Sequence, residues 1–424
     1  MLLVSYIREN KENVLRGLAV RNIKDAAAQI DQIISLDDER KQTKQESDDV
    51  LAKANSMAKA IGQLMRDGKQ QEADDKKQET AQLKNKIKEL SEKLKNIEAD
   101  LQKMLYDIPN VPNPKVPAGS TDSDNIVEKE VGEIPNLYEG AKPHWELIED
   151  YDIIDFELGN KITGAGFPVY KGKGAKLQRA LINFFLDEAE KAGFIEIQPP
   201  IVVNEASGYA TGQLPDKEGQ MYHIGNENFY MIPTAEVPIT NIYRDVILTE
   251  GQLPIKHVGY TPCFRREAGS WGSHVRGLNR LHQFDKVEIV QIQHPEKSYE
   301  ALEEMSDYIQ SLLQKLELPY RVLLLCGGDL GFTSALTYDM EVYSAAQEKW
   351  LEVSSVSNFE NYQANRLKLR YKSADKKTSL LHTLNGSALA LPRIVAAILE
   401  NNQTAEGIKI PKVLVPYCGF EMIN

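Results

Sequence analysis

Charged side chains of opposite sign lie close together in the segment CFRREAGS (263–270), where Arg265 stands two positions before Glu267. After a glycine-bounded loop the same spacing of two recurs on the returning segment, in Phe284, Lys286 and Glu288. Side chains two positions apart on a β-strand share a face. An arginine can bind a phosphate, a carboxylate can accept from an adenine amine, and an aromatic ring can stack on a base. Each residue alone also suits a surface ion pair or a core ring, but together they favour a nucleotide site on a long antiparallel hairpin.

Familiar signatures of other enzyme classes are missing from the sequence. It contains no GxxxxGK[ST], HExxH or EF-hand loop, and KGKGAKLQ (171–178) is a poor match to GxGxxG. The histidines show no ligand spacing, and the three cysteines lie far apart without a CxxC pair. Hydrolases and zinc enzymes are therefore disfavoured, the cysteines are expected to be reduced packing residues, and a nucleotide would have to be bound in another way.

Length and charge set broad limits. The chain has 424 residues, 42% of them hydrophobic, and a formal net charge of −12. This length suggests two or three domains, and the charge disfavours nonspecific coating of nucleic acid while leaving room for a local basic face. The N-terminal apolar run is too short for a signal peptide, and no stretch of ~18 uncharged apolar residues follows. We expect a soluble cytoplasmic protein without membrane contact.

The N-terminal quarter has a heptad pattern. Apolar residues recur at alternating spacings of four and three, with lysine and glutamate between them, at Leu83, Ile87, Leu90, Leu94, Ile97, Leu101 and Met104. A looser helical stripe precedes the polar segment 66–75. These patterns predict two antiparallel helices of roughly 40 residues, an arm on the order of 60 Å long. Basic residues concentrate on its second helix, at Lys84, Lys86, Lys88, Lys93 and Lys95. They form either an ordinary solvated face or a surface that contacts phosphates.

Prolines end the helical region. Within residues 108–125 they stand at Pro109, Pro112, Pro114 and Pro117, and the following run of Ser, Asp and Asn is typical of an exposed connection. Beyond it, β-rich runs alternate with longer helical stretches such as 174–193. We predict an α+β fold with two domains, residues 1–109 and residues 110–424, of which the second contains the hairpin.

The hairpin sequence FRREAGSWGSHVRGLNRLHQFDKVE resembles motif 2 of the class II aminoacyl-tRNA synthetases, in the form found in seryl-tRNA synthetases. IPTAEVPITN resembles the Thr-Ala-Glu segment of that family, LEVSSVSNFENYQANR its Glu-x-Ser-Ser segment, LNGSALALPRIVAAILENNQ its motif 3, and GFIEIQPPIVV its motif 1. The order, the spacing and the helical arm also fit. The resemblance implies a long antiparallel coiled-coil arm that binds tRNA, and a catalytic domain built on an antiparallel β-sheet flanked by helices.

The resemblance also implies an ATP site. Arg265 would contact the α-phosphate and the amino-acid carboxylate, Glu267 the adenine amine, and Phe284 the base. Arg393, which we expect to be a buried cation on an apolar helix in need of an anionic partner, would bind the γ-phosphate. Glu352 and Ser355 would ligate a Mg²⁺ ion that bridges the ATP phosphates. The other residues implied to line this site are Arg266, Leu281, Val353 and Ser354.

For serine itself, the resemblance implies a set of polar side chains and one alanine: Thr234, Ala235, Glu236, Arg265, Glu288, Asn385 and Ser387. Glu288 would bind the serine hydroxyl. The implied reaction has two steps, in which serine and ATP give seryl-adenylate and a ribose hydroxyl at the 3′ end of tRNA then takes the acyl group. Catalysis would come from positioning and charge neutralisation by Arg265, Arg393 and Mg²⁺.

The resemblance further implies a homodimer that serves tRNA(Ser), and tRNA(Sec) where one exists. The coiled-coil arm would bind the tRNA body, and the motif 2 loop, with His274 and Arg276, would approach the acceptor end. Three positions depart from the usual family residues without removing a contacting group: Leu281, Asn365 and Ala388.

Two other functions remain open from the sequence. One is a related ligase that loads an amino acid onto a carrier protein, which the arm disfavours. The other is a coiled-coil scaffold with a decayed site, which the intact charged set disfavours.

Overall fold

The computed structural model describes residues 1–267 and 276–424, and these form two compact units. The first unit comprises Met1–Ala19 and Ile23–Pro109, and the second comprises Val20–Asn22 and Asn110–Asn424. Cys263, Cys326 and Cys418 are buried and free. No helix within the described ranges is long and apolar enough to cross a membrane.

Helices make up the first unit, and two of them are long: α1 (Val4–Glu9), α2 (Lys11–Val20), α3 (Ala26–Arg66) and α4 (Gln70–Asp107). Ion pairs between α3 and α4 show that the two run antiparallel, because residue numbers fall along α3 as they rise along α4: Lys53 with Glu79 at 3.3 Å, Glu46 with Lys86 at 3.3 Å, and Glu39 with Lys93 at 2.9 Å. All seven predicted seam residues of α4 are buried or half-buried. The prediction of two long antiparallel helices is confirmed.

The second unit mixes strands and helices. Its strands are β1 (Ile126–Val131), β2 (Ile154–Asp155), β3 (Val169–Tyr170), β4 (Ile195–Glu196), β5 (Val202–Asn204), β6 (His223–Ile224), β7 (Phe229–Met231), β8 (Ile247–Thr249), β9 (Ile255–Phe264), β10 (Gln283–Gln293), β11 (Tyr320–Leu324), β12 (Leu336–Ser344), β13 (Lys349–Asn358), β14 (Arg370–Lys372), β15 (Thr378–Leu380), β16 (His382–Ala390), β17 (Gln403–Thr404), β18 (Gly407–Lys409) and β19 (Met422–Ile423). Its helices are α5 (His144–Asp150), α6 (Phe156–Ile162), α7 (Gly172–Lys191), α8 (Glu205–Thr211), α9 (Glu236–Asn241), α10 (Ser298–Lys315), α11 (Tyr362–Leu367), α12 (Leu391–Asn401) and α13 (Val415–Cys418).

An eight-stranded sheet holds this unit together, in the order β1-β11-β12-β13-β16-β10-β9-β4 among the described strands. Every neighbouring pair in it is antiparallel except β4 and β9, which are parallel. Apolar residues of α7, α10 and α12 join those of the sheet in one core. Because α12 is apolar along almost its whole length, every residue of it except Arg393 is buried. The predicted α+β fold, an antiparallel sheet flanked by helices, is confirmed.

One segment differs from what its sequence predicts. The run 194–203 forms only the short strands β4 and β5, because Pro199 and Pro200 between them lack the N–H groups that a strand ladder needs. The run of Ser, Asp and Asn in the connection is exposed at residues 120–124, as predicted, whereas the proline-rich start, residues 108–112, is buried. Asn110 explains this burial, because its side-chain amide donates to the carbonyls of Thr333 and Phe359, at 3.0 and 2.9 Å.

Arg21, in the short N-terminal piece of the second unit, is a buried cation. Its guanidinium donates to the carbonyl oxygens of Asn110 at 2.7 Å, Leu330 at 2.8 Å and Gly331 at 3.1 Å, and also to that of Ser334. Burial lowers the pKa of Arg21 to about 10, so the side chain still carries its charge at neutral pH. Each of these carbonyls would lose a donor if the guanidinium were removed, and a buried acceptor without a donor is costly.

Arg21→Ala should therefore lower the free energy of unfolding of the second unit by roughly 3–5 kcal/mol. The measurement is urea unfolding followed by tryptophan fluorescence, which reports on this unit because Trp145, Trp271 and Trp350 all belong to it. Arg16→Ala is the control, since Arg16 is exposed and its loss should change stability by no more than about 0.5 kcal/mol. Equal effects of the two substitutions would contradict the structural importance of Arg21.

Candidate active site

Strands β9 and β10 form the predicted hairpin, with Phe264 opposite Gln283 and Gly259 opposite Glu288. β9 ends at Phe264, so Arg265 and Glu267 follow the strand instead of alternating along it. Glu267 also has a left-handed backbone, with φ of 49°. The predicted placement of both side chains on one face by strand alternation is therefore wrong, because the strand ends before either residue.

The residues just after β9 nevertheless meet the returning strand. The guanidinium of Arg265 lies over the ring of Phe284, 5.3 Å from its centroid. The carboxylate of Glu267 accepts a hydrogen bond from Arg280, and Arg266 is exposed. The structure thus brings together a cation and an aromatic ring, with a carboxylate close by in sequence. His274 and the rest of residues 268–275 lie outside the described residues, whereas Arg276 is described and exposed.

A buried cluster of charged side chains lies where β10 meets β16 and the start of α9. The Asn385 amide donates to both Glu288, at 2.8 Å, and Glu236, at 3.1 Å. Lys286 lies 2.5 Å from the second oxygen of Glu288 and donates to the Thr234 hydroxyl at 2.9 Å. Ser387, directly opposite Glu288 in the sheet, donates to it at 3.4 Å. Five of the residues that the resemblance assigns to serine are therefore joined in one hydrogen-bonded cluster, in which Lys286 connects Thr234 to Glu288.

Glu236 is the carboxylate with the most perturbed acidity in this cluster. Burial and the nearby charge of Glu288 raise its pKa to about 7, against the opposing effects of the Gln363 hydrogen bond and of Lys286 and Arg265. The Gln363 amide donates to it at 2.6 Å. A carboxylate that is half protonated near neutral pH, beside a second carboxylate, is a site ready for a cation such as an ammonium group.

Arg393 lies in the first turn of α12, but it is not buried. About a third of its side chain is exposed, at 32%, so the expectation of a buried cation is wrong: the first turn of the helix faces solvent at this position. Its guanidinium donates to the carbonyl oxygens of Asn279, at 3.1 Å, and Glu352, at 2.6 Å. The Glu352 carboxylate lies 3.7 Å away. Because part of the guanidinium side chain is exposed, Arg393 is accessible to an anionic ligand.

A buried carboxylate with one unsatisfied oxygen lies next to the two residues that would hold Mg²⁺. Asp339 on β12 stands opposite Ser355 on β13, and its Oδ1 is buried without a partner in the described part of the chain. Burial, followed by the charge of Glu352, raises its pKa well above the usual value despite a hydrogen bond with Ser355. Exposed Glu352, Ser355 and this unsatisfied oxygen supply the hard oxygen donors that a magnesium ion prefers.

Four of the implied site residues have side chains that are largely inaccessible. Ala235, Leu281, Val353 and Ser354 are each less than 5% exposed, and the Ser354 hydroxyl donates to the Ser387 carbonyl at 2.6 Å. A ligand would meet these positions mainly through their backbone. Sequence reasoning gave no role to three residues that contact this set: Lys286, Gln363 and Asp339. For Lys286 a signal was present, since it shares the strand face of Phe284 and Glu288.

Two family models match the chain. The model of the seryl-tRNA synthetase N-terminal domain matches residues 1–112, and that of the class II tRNA synthetase core domain (G, H, P, S and T) matches residues 221–402. The serine–tRNA ligase of Salinibacter ruber is 49% identical over 100% of this chain and 99% of its own. The chain belongs to the seryl-tRNA synthetase family. The serine–tRNA ligase of Chlorobium luteolum is 45% identical over the same shares of the two chains.

Solved structures agree with this family. The seryl-tRNA synthetase of Pyrococcus horikoshii, complexed with ATP, has a TM-score of 0.92 and 33% identity, with 100% of this chain and 99% of that chain covered. The cytoplasmic serine–tRNA ligase of Naegleria fowleri, in complex with AMP, has a TM-score of 0.87 and 25% identity over the same shares. The similarity therefore extends over both units of this family member.

The acidity of Glu236 generates a test by pH. Because its pKa is about 7 in the free protein, lowering the pH from 8 to 6 should protonate it and raise the KM for serine in ATP–pyrophosphate exchange by roughly tenfold. Serine binding near pH 7 should also release protons into solution. Glu236→Gln should have a high KM for serine at every pH and a much flatter pH profile. The KM for ATP is the internal control, and an equal rise in both KM values would contradict the assignment.

Proposed function

We propose that the buried cluster of Glu236, Lys286, Glu288 and Asn385 binds serine, and that the hairpin residues and Arg393 bind ATP beside it. As a serine–tRNA ligase, the chain activates serine with ATP and transfers it to the 3′ end of tRNA(Ser). The single observation that carries the proposal is the pair of buried carboxylates bridged by the Asn385 amide. A pair of this kind suits a ligand that offers both an ammonium and a hydroxyl group.

The reaction needs no protein nucleophile. The serine carboxylate attacks the α-phosphorus in line and pyrophosphate leaves, and a terminal ribose hydroxyl of the tRNA then attacks the acyl carbon and releases AMP. Arg265 would bind the carboxylate and the α-phosphate, and Arg393 the terminal phosphate. Both guanidinium groups are partly exposed, so they are available to a ligand while their own contacts hold them in place. Such positioned charges are the usual means of assisting phosphoryl-type transfer.

Magnesium would be held beside the paired strands β12 and β13 in the interior of the sheet. Glu352 and Ser355 would be its direct ligands, with Asp339 next to Ser355. When bound, the ion neutralises charge on the ATP phosphates. The protein contributes the exposed carboxylate of Glu352, which also receives the Arg393 side chain at 3.7 Å, and so the same residue would align the cation and the arginine with one triphosphate.

Selection of serine would rest on Glu288 and its partner Lys286. Glu288 is fully buried, and its two oxygens contact Asn385 on one side and Lys286 and Ser387 on the other. The Lys286 ammonium lies against one of these oxygens, and a carboxylate oxygen can accept a hydrogen bond from a substrate hydroxyl. A site built to bind a hydroxyl rejects an analogue without it by ~10⁴–10⁵, because its buried polar groups are left unpaired.

Alanine should therefore be a very poor substrate, with kcat/KM in ATP–pyrophosphate exchange lower than that of serine by roughly 10⁴. Lys286→Met should reduce serine activation and narrow this ratio, since it leaves Glu288 buried without its cation. Lys256→Met is the matched control: Lys256 lies on the other strand of the hairpin in a surface pair with Glu304, and the ratio should not change. Alanine within tenfold of serine in the unmodified protein would refute the proposed pocket.

The tRNA would be bound by the basic stripe of α4 formed by Lys84, Lys88 and Lys95. These residues are four and seven positions apart, which places them on one face of the helix, and all three are exposed. Lys86 and Lys93 lie on another face, where they pair with acidic residues of α3. An exposed lysine stripe on an otherwise acidic chain is suited to the phosphate backbone of an RNA. The motif 2 loop would approach the acceptor end.

Replacing Lys84, Lys88 and Lys95 together by Gln should raise the KM for tRNA(Ser) by roughly tenfold or more and make it less dependent on salt. Serine-dependent pyrophosphate exchange should be unchanged, since it needs no tRNA. The control replaces Lys41, Lys44 and Lys53, which are exposed lysines of α3 that pair with acidic residues. Equal effects of the two triple substitutions on tRNA charging would contradict a specific role of the α4 stripe.

A second copy of the chain would cover the β4 edge of the sheet. β4 is an edge strand, so hydrogen-bonding groups on its outer side have no partner strand among the described residues. Its apolar residue Ile195 is also 64% exposed. A cavity of about 460 Å³ opens beside α7, between Ile182, Leu186 and Tyr260. These apolar residues belong to the segment that resembles motif 1 and to its neighbours. They support the proposal of a homodimer formed through this face.

A further inference from the structure

A buried histidine that contacts none of the proposed ligands has hydrogen bonds on both ring nitrogens. His144 and Glu400 are fully buried, and His144 Nδ1 lies 2.6 Å from Glu400 Oε1. His144 Nε2 accepts the backbone N–H of Leu278 at 2.9 Å. Because a backbone amide can only donate, Nε2 carries no proton. The ring is therefore neutral, with its proton on Nδ1 and directed to the Glu400 carboxylate.

Leu278 belongs to a short 3₁₀ turn, Gly277–Asn279, that leads into β10. The next residue, Asn279, offers its carbonyl oxygen to the Arg393 side chain at 3.1 Å. Arg393 and Glu400 lie on the same helix, α12, two turns apart. The helix thus holds two consecutive residues of the turn, one directly through Arg393 and one through His144.

Further contacts close the network around Glu400. Gln347 donates to Glu400 at 2.8 Å and accepts from the Asn279 side chain at 3.0 Å, while the Ser344 hydroxyl donates to the other oxygen of Glu400. The Glu400 carboxylate accepts the hydrogen bond from Nδ1 and so fixes the tautomer of His144.

The turn packs directly on the first two residues of α5. Gly277 has φ of +65°, and a Cβ atom there would lie 2.3 Å from His144 Nε2, so a side chain at this position would displace either the turn or the imidazole. The guanidinium of Arg276 lies 5.0 Å from the ring of Trp145, which follows His144. The returning end of the motif 2 segment is therefore held by a defined surface, and His144 is its centre.

We propose that His144 is a positioning residue for the ATP site. Its neutral imidazole connects Glu400 to the turn 277–279 by hydrogen bonds and so fixes where the turn lies. The turn then positions the Asn279 carbonyl, which accepts from Arg393. It also positions Arg280, which contacts Glu267. This proposal rests on the proposed ATP-binding roles of Arg393 and Glu267. It predicts that loss of the Nε2 acceptor loosens ATP binding and leaves the serine pocket intact.

The test compares two substitutions in ATP–pyrophosphate exchange. His144→Asn keeps a donor near Nδ1 but removes the Nε2 acceptor, whereas the longer amide of His144→Gln can place an acceptor near Nε2. His144→Asn should raise the KM for ATP at least tenfold and change the KM for serine less than twofold. His144→Gln should restore the KM for ATP to within about threefold of the unmodified protein. A purely structural role would lower kcat through loss of folded protein and leave both KM values unchanged.

Gly277→Ala tests the same contact from the side of the turn and decides the matter if His144→Asn does not fold. It should also raise the KM for ATP, and the two effects should be less than additive when combined, because both break one contact. His382→Asn, at a half-buried histidine that contacts Ser298, is the control and should leave both KM values unchanged. An unchanged KM for ATP in His144→Asn and Gly277→Ala would overturn the role of His144. Absence of serine-dependent exchange in the unmodified protein would instead refute the proposed function.

Discussion

The burial of opposite charges in the middle of the main sheet is the constraint on which the site depends. Glu236, Glu288 and Lys286 are all at least 94% buried, and a charge taken out of water must be paired or hydrogen-bonded. The partners come from separate parts of the chain: α9, adjacent strands β10 and β16, and Gln363 of α11. The cluster is therefore complete only when the sheet has its full register, and a shift of one residue between β10 and β16 would turn Asn385 and Ser387 away from Glu288.

Helix α12 provides a common frame for the groups around the cluster. It is buried on all sides except at Arg393, so it has little freedom to move relative to the sheet. Arg393 at its start contacts Asn279 and Glu352, and Glu400 near its end contacts His144, Ser344 and Gln347. Residues from the hairpin, from β13 and from α5 thus all contact the same rigid helix. This shared contact holds groups that are distant in sequence close to one another.

The sequence predicted the fold well where periodicity is strong and less well where tertiary contacts decide. The heptads of α4 and the amphipathic pattern of α7 specify long helices by themselves, whereas the end of β9 at Phe264 depends on how residues 265–267 meet β10. The proposed roles of Arg265, Glu288 and Asn385 follow from their motifs. The importance of Lys286 and Asp339 did not, because a buried ion pair and an unsatisfied carboxylate are properties of packing between strands. The exposure of Arg393 was mispredicted for a related reason: helical apolarity says little about the first turn.

The ion pairs between α3 and α4 have a consequence for how the arm can change in length. Glu39, Glu46 and Lys53 are spaced seven residues apart, and so are their partners Glu79, Lys86 and Lys93. Removal or insertion of seven residues in both helices, or of a multiple of seven, would bring each remaining charge opposite a partner again and keep the apolar seam facing inward. The arm is therefore modular, and its reach can be adjusted in steps of ~10 Å without redesign of the unit to which it is joined.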